Sequence, residues 1–315
     1  MALRVAFFGN SESGYSNRYF RAFMDAPCRI VAVVDAPPAK RGSTTAGASD
    51  RLTDFVAVAR EQGIAAFEPA SPNLPEFVEA MRALEPDLGV AVGYMDVLKE
   101  AILSVPRLLT VNFHASLLPA YRGKHPVFWA LRHDEGWSGM TVHVVERGLD
   151  TGDILYQVKV RTRRDDTVAN LYERILERSF WLPARLLLDA ERGALRRRPQ
   201  PQEGASYFSS VRPEDHRLDW SLAAGRLRRM IQMSPGRCFV DMAGHRLFFL
   251  DAEVVSVNDE VAAGTLLRLG RAGGLVKGGE AALRVRRVRV DASEAKSMVD
   301  ACREMGVGPG ALLVG

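Results

Sequence analysis

The sequence predicts an α/β fold with an open, mostly parallel, Rossmann-like sheet, followed by a small C-terminal β-barrel domain. Short apolar runs such as LRVAFF (3–8), IVAVV (30–34) and LGVAV (88–92) alternate with helical segments in the first third of the chain. Such alternation is typical of βαβ units and a parallel sheet. After residue 206 the pattern changes to closely spaced short strands, which favours a small barrel. A length of 315 residues suits two domains of about 100–200 residues each.

In the first half, each predicted element is an apolar run or a helical period that ends at a turn. The strand at 3–8 leads into the polar turn GNSESG (9–14), and a helix stops at Gly63. The segment APPAKRGSTTAGASD (36–50) is predicted to be a loop, because it is rich in Pro, Gly, Ser and Thr. The predicted strands are 3–8, 30–34, 64–67, 88–92 and 108–113, and the predicted helices are 15–24, 52–62, 74–84 and 98–105.

In the second half, alternating runs at 141–145 and 154–160 predict antiparallel strands. A long amphipathic helix is predicted at 167–189, with a kink at Pro183. The basic, Pro-rich stretch 191–206 is predicted to be a linker between a domain at 1–190 and a barrel domain at 207–315. In the barrel domain we expect a helix at 222–233, capped by Ser221, and strands at 237–241, 246–250, 253–257, 265–269, 274–277 and 282–288.

Composition and charge exclude several classes of protein. Hydrophobic residues make up 47% and charged residues 25%, which is a globular balance and excludes a disordered or collagen-like chain. The cysteines Cys28, Cys238 and Cys302 predict neither a disulfide framework nor a Cys-type zinc site. No apolar run approaches the ~18 residues of a membrane span, so a cytoplasmic protein without a membrane partner is expected. The net charge of +4 is compatible with an anionic partner but identifies none.

An amide, an imidazole and a carboxylate form the candidate site. Asn112 and His114 are two residues apart at the end of a strand, so both side chains face one side of the sheet at its ligand-binding edge. Asp150 follows in the Gly-flanked loop 148–153. An amide can donate to a developing oxyanion, an imidazole can accept a proton from an amine, and a carboxylate can orient that imidazole. The residues alone leave two interpretations open: a site for acyl transfer to nitrogen, or a core histidine with a turn aspartate.

The stretch NFHASLLPAYRG (112–123), followed by GLDTGDI (148–154), resembles the 10-formyltetrahydrofolate-dependent formyltransferases. That family includes methionyl-tRNA formyltransferase, amino-sugar N-formyltransferases and the hydrolase domain of formyltetrahydrofolate dehydrogenase. The segment ASYFSSVRPEDHRLDW (205–220) resembles the start of the family's C-terminal domain, a small barrel of the OB type. The resemblance covers essentially the whole chain. It implies an enzyme that uses 10-formyltetrahydrofolate as formyl donor and needs no metal.

The resemblance also implies roles for individual residues, with Asn112, His114 and Asp150 as the catalytic set. It places folate in a cleft lined by Tyr94, Met95, Leu98, Ser116, Leu117, Leu118, Pro119, Gly148 and Leu149. A plain strand-to-helix turn is the favoured interpretation of 9–14, because the segment lacks the Lys-Ser/Thr of a P-loop and the three glycines of a dinucleotide fingerprint. We still expect the acceptor to meet Asn10, Ser11 and Ser13 of this turn, and Arg122. The spacing of His125, His133 and His143 does not predict zinc binding.

The nature of the acceptor divides the family, and the sequence favours a small-molecule primary amine such as an amino-sugar nucleotide. RGKHPVFWAL (122–131) and VGYMDVL (92–98) are similar to the sugar-amine members, and the loop at 36–50 is shorter than in the tRNA enzymes. Initiator methionyl-tRNA is the main alternative. It is favoured by the full-length C-terminal domain and by arginines of the linker, namely Arg192, Arg196, Arg197 and Arg198.

Two further alternatives stay open. PQPQEGASY (199–207) and DDTVANLY (165–172) resemble the hydrolase branch, in which water takes the formyl group. A non-catalytic OB-type nucleic-acid binder is disfavoured, because a binding module has no need for the whole Asn–His–Asp set. MSPGRCF (233–239) departs from the Trp-Pro-Gly sequence of many relatives. The sequence leaves undecided whether the protein forms a homodimer and whether 36–50 orders on binding.

Overall fold

The computed structural model describes residues 2–37 and 53–314, so most of the predicted loop at 36–50 lies outside the described residues. The chain forms two compact units. The first unit comprises Met1–Ala130, Gly136–Thr162 and Ala169–Ser210. The second unit comprises Leu131–Glu135, Arg163–Val168 and Val211–Gly315.

The strands of the first unit are β1 (Arg4–Gly9), β2 (Arg29–Asp35), β3 (Ala65–Phe67), β4 (Leu88–Val92), β5 (Leu109–His114), β6 (Arg122–Gly123), β7 (Trp137–Val144), β8 (Ile154–Arg161) and β9 (Tyr207–Phe208). A seven-stranded sheet in the order β3-β2-β1-β4-β5-β7-β8 forms the centre of this unit. Strands β1 to β5 run parallel, whereas β7 and β8 are antiparallel additions. This topology confirms the predicted α/β class with a mostly parallel sheet.

Seven helices of the described residues belong wholly or mostly to this unit: α1 (Gly14–Met24), α2 (Phe55–Glu61), α3 (Pro75–Ala83), α4 (Glu100–Leu103), α5 (Pro126–Arg132), α6 (Val168–Ser179) and α7 (Leu182–Glu191). Helix α1 begins at the N-cap Ser13, whose side chain accepts a hydrogen bond from the N–H of Ser16. Its buried Phe20 packs against Phe7 of β1, with ring centroids 5.3 Å apart. Strand β4 is buried along its whole length, as expected for a parallel strand covered on both faces.

Two predicted helices differ from the structure. The helix predicted at 98–105 is only the single turn α4, because Leu98 packs into the core ahead of it and the helix ends before Pro106. The helix predicted at 167–189 is two helices, α6 and α7. Pro183 lies in the first turn of α7 rather than at a kink, since a proline there gives up no intrahelical hydrogen bond.

The stretch 191–206, expected to be a linker, is a strap held on the first unit. The backbones of Arg198 and Ile154 exchange two hydrogen bonds, with N···O distances of 2.8 and 3.0 Å. Strand β9 then pairs in parallel with β6. Gly123 of β6 has φ +96°, and a Cβ there would lie 2.1 Å from the carbonyl oxygen of Phe208, so only glycine allows this pairing. The first unit therefore extends to Ser210, beyond the predicted boundary at 190.

The strands of the second unit are β10 (Phe239–Met242), β11 (His245–Phe249), β12 (Glu253–Val255), β13 (Leu266–Gly270), β14 (Gly273–Lys277), β15 (Ala282–Val285), β16 (Arg287–Val290) and β17 (Ala295–Ser297), and its helices are α8 (Ala224–Met233) and α9 (Met298–Glu304). The strands form two antiparallel four-stranded sheets, ordered β10-β11-β16-β17 and β12-β15-β14-β13. Residues of both sheets and both helices share one hydrophobic core. This is the small β domain that the sequence predicts.

Three details of the second unit differ from the prediction. The run at 282–288 is two strands, β15 and β16, which belong to different sheets. Ser221 does not cap α8, because its hydroxyl donates to Asp219 and the N-cap position is Ala223. Helix α9 and strand β17 lacked a sequence prediction. Of the helices in the described part of the chain, none is long and apolar enough to span a membrane.

Candidate functional site

The predicted amide, imidazole and carboxylate come together at the carboxyl end of β5. Asn112 and His114 lie on one side of this strand, as the alternation predicts. Asp150 lies in the turn between β7 and β8 and has φ +52°, a conformation that aspartate tolerates. Gly152 brings this turn against β7, because a Cβ there would lie 2.0 Å from the carbonyl oxygen of Val144.

The Asp150 carboxylate is the centre of the cluster. Its Oδ2 accepts a hydrogen bond of 2.8 Å from the backbone N–H of Gly123 and lies 3.7 Å from Nδ1 of His114. Its Oδ1 lies 3.3 Å from Nδ2 of Asn112 and 3.3 Å from Nε2 of His143. Asp150 therefore contacts the amide and lies between two histidines.

The hydrogen-bond partner of His114 determines which ring nitrogen can act as a base. Nε2 lies 2.8 Å from the carbonyl oxygen of Tyr121, which can only accept, so Nε2 carries the hydrogen. Nδ1 then holds the lone pair and faces Asp150. From the sequence, the carboxylate was expected to orient this imidazole. In the structure, the Tyr121 carbonyl fixes the tautomer.

His143 is a site residue that the sequence reasoning missed. Asn112 of β5 and His143 of β7 are register partners across the antiparallel pair. The Nδ1–H of His143 donates to the carbonyl of Val144 at 2.9 Å, so its Nε2 can accept from Nδ2 of Asn112 at 3.2 Å. The alternating run at 141–145 was the available signal, but only the pairing of β7 with β5 places this ring opposite Asn112.

Burial and neighbouring charges shift the pKa values of Asp150 and His114 in opposite directions. Burial favours the neutral form of Asp150, but the facing His114, the contacts with His143 and the Gly123 N–H outweigh it and hold the pKa of Asp150 well below its usual value. Burial lowers the pKa of His114, against the opposing effect of Asp150 and of the bond to Tyr121. The resting site is therefore an ionised carboxylate beside a neutral imidazole at pH 7.

The cluster opens into a cavity of about 200 Å³. Of the residues expected to bind folate, Tyr94, Met95 and Leu149 line this cavity. Leu98 is buried in the core, and Gly148 is exposed on the loop. Exposed Val97 and Leu149 add apolar surface to the lining.

The structure does not bring Ser116, Leu117, Leu118 or Pro119 into this cavity. The Ser116 hydroxyl donates to the carbonyl of Ala120, which closes the turn that contains these residues. Leu117 and Leu118 instead line a second cavity beside β8. Pro119 accepts a hydrogen bond from the strap, through the N–H of Ser206.

The residues expected to meet the acceptor are buried away from the cavity. Asn10 and Ser13 are fully buried and Ser11 nearly so. Ser13 caps α1, the Ser11 N–H donates to Asp35, and the Asn10 carbonyl oxygen Oδ1 accepts from Glu12. Arg122 is 2% exposed, and its guanidinium donates to side chains of the strap. Asn10, Ser11 and Ser13 hold the turn between β1 and α1, whereas Arg122 holds the strap against the backbone beside the site.

Across residues 2–37 and 53–314, no group of three or more His, Cys, Asp or Glu side chains is arranged to hold a metal ion. The cluster at the end of β5 offers an amide, two imidazoles and a carboxylate. Together with an open α/β sheet, this set is suited to an enzyme that transfers an acyl group to a nucleophile.

Comparison with known proteins identifies the family. The model of the formyl transferase family matches residues 3–186, and the model of its C-terminal domain matches residues 210–305. The chain belongs to the formyl transferase family and is a formyltransferase. The formyl donor used by this family is 10-formyltetrahydrofolate.

Curated relatives resemble the chain over nearly its full length. The methionyl-tRNA formyltransferase of Synechococcus sp. (strain JA-3-3Ab) is 30% identical, with 95% of this chain and 94% of the relative covered. The methionyl-tRNA formyltransferase of Pseudomonas paraeruginosa is 32% identical with the same coverage. An N-formyltransferase from Helicobacter canadensis, solved with folinic acid and dTDP-3-aminofucose, superposes with a TM-score of 0.64 at 15% identity, covering 92% of this chain and 100% of that one.

Proposed function

We propose that this formyltransferase transfers the formyl group of 10-formyltetrahydrofolate to the amino group of initiator methionyl-tRNA. The sequence alone favours a small-molecule amine such as an amino-sugar nucleotide, but the relatives support the tRNA alternative better. Those named methionyl-tRNA formyltransferase are 30 and 32% identical over 95% of the chain. The sugar enzyme, at 15% identity, is similar in fold only.

A row of positive charge on the first unit is the observation on this chain that carries the proposal. We call Lys159, Arg161, Arg196, Arg197 and Arg198 the basic row. Lys159 and the three arginines of the strap line a cavity of about 630 Å³ that has no carboxylate among its lining residues. Within the described residues, the side chains of Arg196 and Arg197 form neither an ion pair nor a hydrogen bond. Exposed cations that have no carboxylate partner are suited to a polyanion.

Aromatic side chains flank the basic row. Trp137 is 46% exposed, and Lys159 and Arg161 lie over its ring at 5.1 and 5.9 Å from the centroid. Trp181 is 53% exposed and lines the same cavity as the arginines. Exposed aromatic faces beside cations are typical of surfaces that bind unpaired nucleotides, since bases stack on the rings while cations meet the phosphates.

The cavity at the catalytic cluster fits the reacting end of a folate. Its volume of about 200 Å³ is below the roughly 300–1,000 Å³ of sites that bury a whole drug-sized ligand. Its lining combines apolar side chains such as Met95 and Leu149 with the polar groups of Asn112, His114 and Asp150. Bound there, 10-formyltetrahydrofolate supplies the formyl group.

The residues of the cluster then have separate roles. As the amine nitrogen bonds to the formyl carbon, Nδ1 of His114 accepts its proton, and the Asp150 carboxylate at 3.7 Å stabilises the imidazolium that results. The imidazolium then returns this proton to the tetrahydrofolate nitrogen as the bond between that nitrogen and the formyl carbon breaks. Asn112 donates through Nδ2 to the formyl oxygen as that oxygen becomes negative. The two contacts of Asn112 Nδ2, with Asp150 at 3.3 Å and with His143 at 3.2 Å, are longer than the usual ~2.9–3.0 Å. One Nδ2 hydrogen can therefore turn to the formyl oxygen at a small cost in free energy.

An assay with three acceptor conditions tests the proposal. Tetrahydrofolate release from 10-formyltetrahydrofolate is followed with charged initiator tRNA, with a panel of amino-sugar nucleotides, and without acceptor. We expect turnover with the charged tRNA only, together with formylmethionine on the tRNA. Turnover with a sugar nucleotide but not with the charged tRNA would show that the acceptor is a small-molecule amine. Turnover without acceptor that equals turnover with acceptor would show that the enzyme is a hydrolase.

The double variant Arg196→Ala/Arg197→Ala tests the basic row. We expect the KM for methionyl-tRNA to rise about tenfold or more with kcat unchanged, because two charge-assisted phosphate contacts are lost. The salt dependence of tRNA binding, plotted as log affinity against log salt, should become shallower by about 2. Arg60→Ala is the matched control, since Arg60 is exposed on α2, which packs at the opposite edge of the sheet. An unchanged KM in the double variant would count against the basic row.

Variants of His143 test its contact with Asn112. In His143→Leu the amide loses an acceptor, and we expect kcat to fall about tenfold with the KM for folate unchanged. His143→Gln keeps an acceptor oxygen and should lose less activity. Steady-state kinetics of both variants provide the measurement. If His143→Leu and His143→Gln have the same kcat, the acceptor that His143 offers to Asn112 has no catalytic role.

A further inference from the structure

The strap reaches the catalytic loop through one side chain, Gln200. Its Nε2 donates to the carbonyl oxygens of Asp150 at 2.8 Å and of Gly152 at 2.7 Å. Its Oε1 accepts from Nη2 and Nε of Arg122 at 2.8 and 3.2 Å. Both hydrogens of the amide and both lone pairs of its oxygen are therefore used.

Arg122 continues these contacts back to the strap. Its Nη1 donates to the hydroxyl of Tyr207 at 2.6 Å, and its guanidinium lies 5.1 Å from the centroid of that ring. This buried cation forms no ion pair within the described residues, and neutral oxygens meet its charge. We call Gln200, Arg122 and Tyr207 the clamp.

The clamp holds the turn that orients both catalytic groups. The carbonyl of Tyr121 accepts from His114, and the N–H of Gly123 donates to Asp150. The N–H groups of Tyr121 and Arg122 both donate to Ser206 of the strap, at 2.9 Å in each case. The strap, the turn and the Asp150 loop thus form one continuous hydrogen-bonded set.

We propose that Gln200 is a positioning residue for formyl transfer, which sets the distance between Asp150 and His114 by holding the Asp150 loop against Arg122. This inference rests on the proposed function, because its kinetic readout is the transfer reaction. Gln200 touches neither reacting group, and it acts through the backbone of Asp150 and Gly152. A displacement of about 1 Å at a catalytic group can cost on the order of 100-fold in rate.

Two substitutions at Gln200 separate positioning from folding. Gln200→Ala removes every contact of the amide. Gln200→Glu keeps an acceptor for Arg122 but puts a carboxylate oxygen against the carbonyls of Asp150 and Gly152, so the loop is released while the strap keeps its bond to Arg122. The matched control is Gln202→Ala, because Gln202 is exposed on the same strap and its side chain has no hydrogen bond in the described residues.

For both Gln200 variants we expect kcat to fall about 10- to 100-fold, with the KM values for folate and tRNA within about threefold of the wild type. The half-maximal point of the kcat–pH profile of Gln200→Ala should move to lower pH. The nearby groups that act on the charge of His114 are Asp150 and His143. A displaced Asp150 carboxylate stabilises the imidazolium less, so neutral His114 persists to lower pH. If the pH profile of Gln200→Ala is unchanged and cooling restores its activity, the clamp only stabilises the fold and Gln200 is not a positioning residue.

Hydrogen exchange makes the test independent of the acceptor. Amides of 148–152 should exchange at least about tenfold faster in Gln200→Ala than in the wild type, and at the wild-type rate in Gln202→Ala. If exchange is unchanged, Gln200 does not hold the loop, even where tRNA formylation is normal. If exchange rises but the wild-type protein does not formylate methionyl-tRNA, the acceptor proposal fails and the clamp stands.

Discussion

Replacing Asp150 with asparagine is expected to lower kcat by about 10⁴-fold while leaving the fold intact. Asparagine tolerates the positive φ of this position, and its carbonyl oxygen can still accept from the N–H of Gly123. The amide has no charge to stabilise the protonated form of His114. The measurement is single-turnover formyl transfer at saturating folate, with thermal unfolding as the check on the fold.

The control for this variant lies in the same turn. Asp153→Asn removes a carboxylate three residues away whose side chain has no hydrogen bond in the described residues, and we expect near-normal turnover. Near-normal turnover in Asp150→Asn as well would remove Asp150 from the mechanism.

The pH profile gives an independent check on the same pair. Catalysis needs neutral His114, and burial lowers the pKa of this histidine. The wild-type kcat should therefore stay high as pH falls through about 6.5, the ordinary value, and be lost only below it. Asp150 acts against this lowering, so the residual activity of Asp150→Asn should persist to still lower pH. A half-maximal point above pH 6.5 in the wild type would contradict the assignment of the base.

His114→Ala is expected to lower kcat by about 10³-fold, while folate still binds. The variant loses the base at Nδ1 and the hydrogen bond from Nε2 to the carbonyl of Tyr121, but the cavity keeps its apolar lining. Equilibrium binding of folinic acid measures the retained affinity, and added imidazole should restore part of the turnover. Loss of folate binding with the fold preserved would make His114 a residue of the binding site.

Local sequence pattern predicted the parts of the site that depend on local structure. Strand alternation places Asn112 and His114 on one side of β5, whereas the motif around Asp150 was needed to connect it with them. His143 was missed because its position depends on the register between β5 and β7, which a local pattern does not encode. Arg122 was expected to face the acceptor, but it is buried. Local pattern could not predict this burial, because it depends on contacts with residues about 80 positions away.

In the barrel domain, too, local pattern predicted the kind of element but not the long-range strand pairing. The alternation of its short strands predicted a β domain, but the run at 282–288 belongs to two sheets, and a continuous apolar period gives no sign of that change. At 167–189 the helical period was correct. The break between α6 and α7 falls at 180–181, just ahead of Pro183, where the exposed Phe180 and Trp181 interrupt the buried face.

The pairing of β9 with β6 also bears on how the chain can be shortened and how it can evolve. A fragment that ends at residue 186, where the match to the formyl transferase model stops, would keep Asn112, His114 and Asp150 but lose Gln200 and Tyr207. The smallest catalytic fragment should therefore end near Ser210. Arg198 and Ser206 are both held by hydrogen bonds, so an insertion or deletion between them changes the spacing of two fixed points. Such changes should be rarer in evolution than substitutions at exposed Gln202 or Glu203.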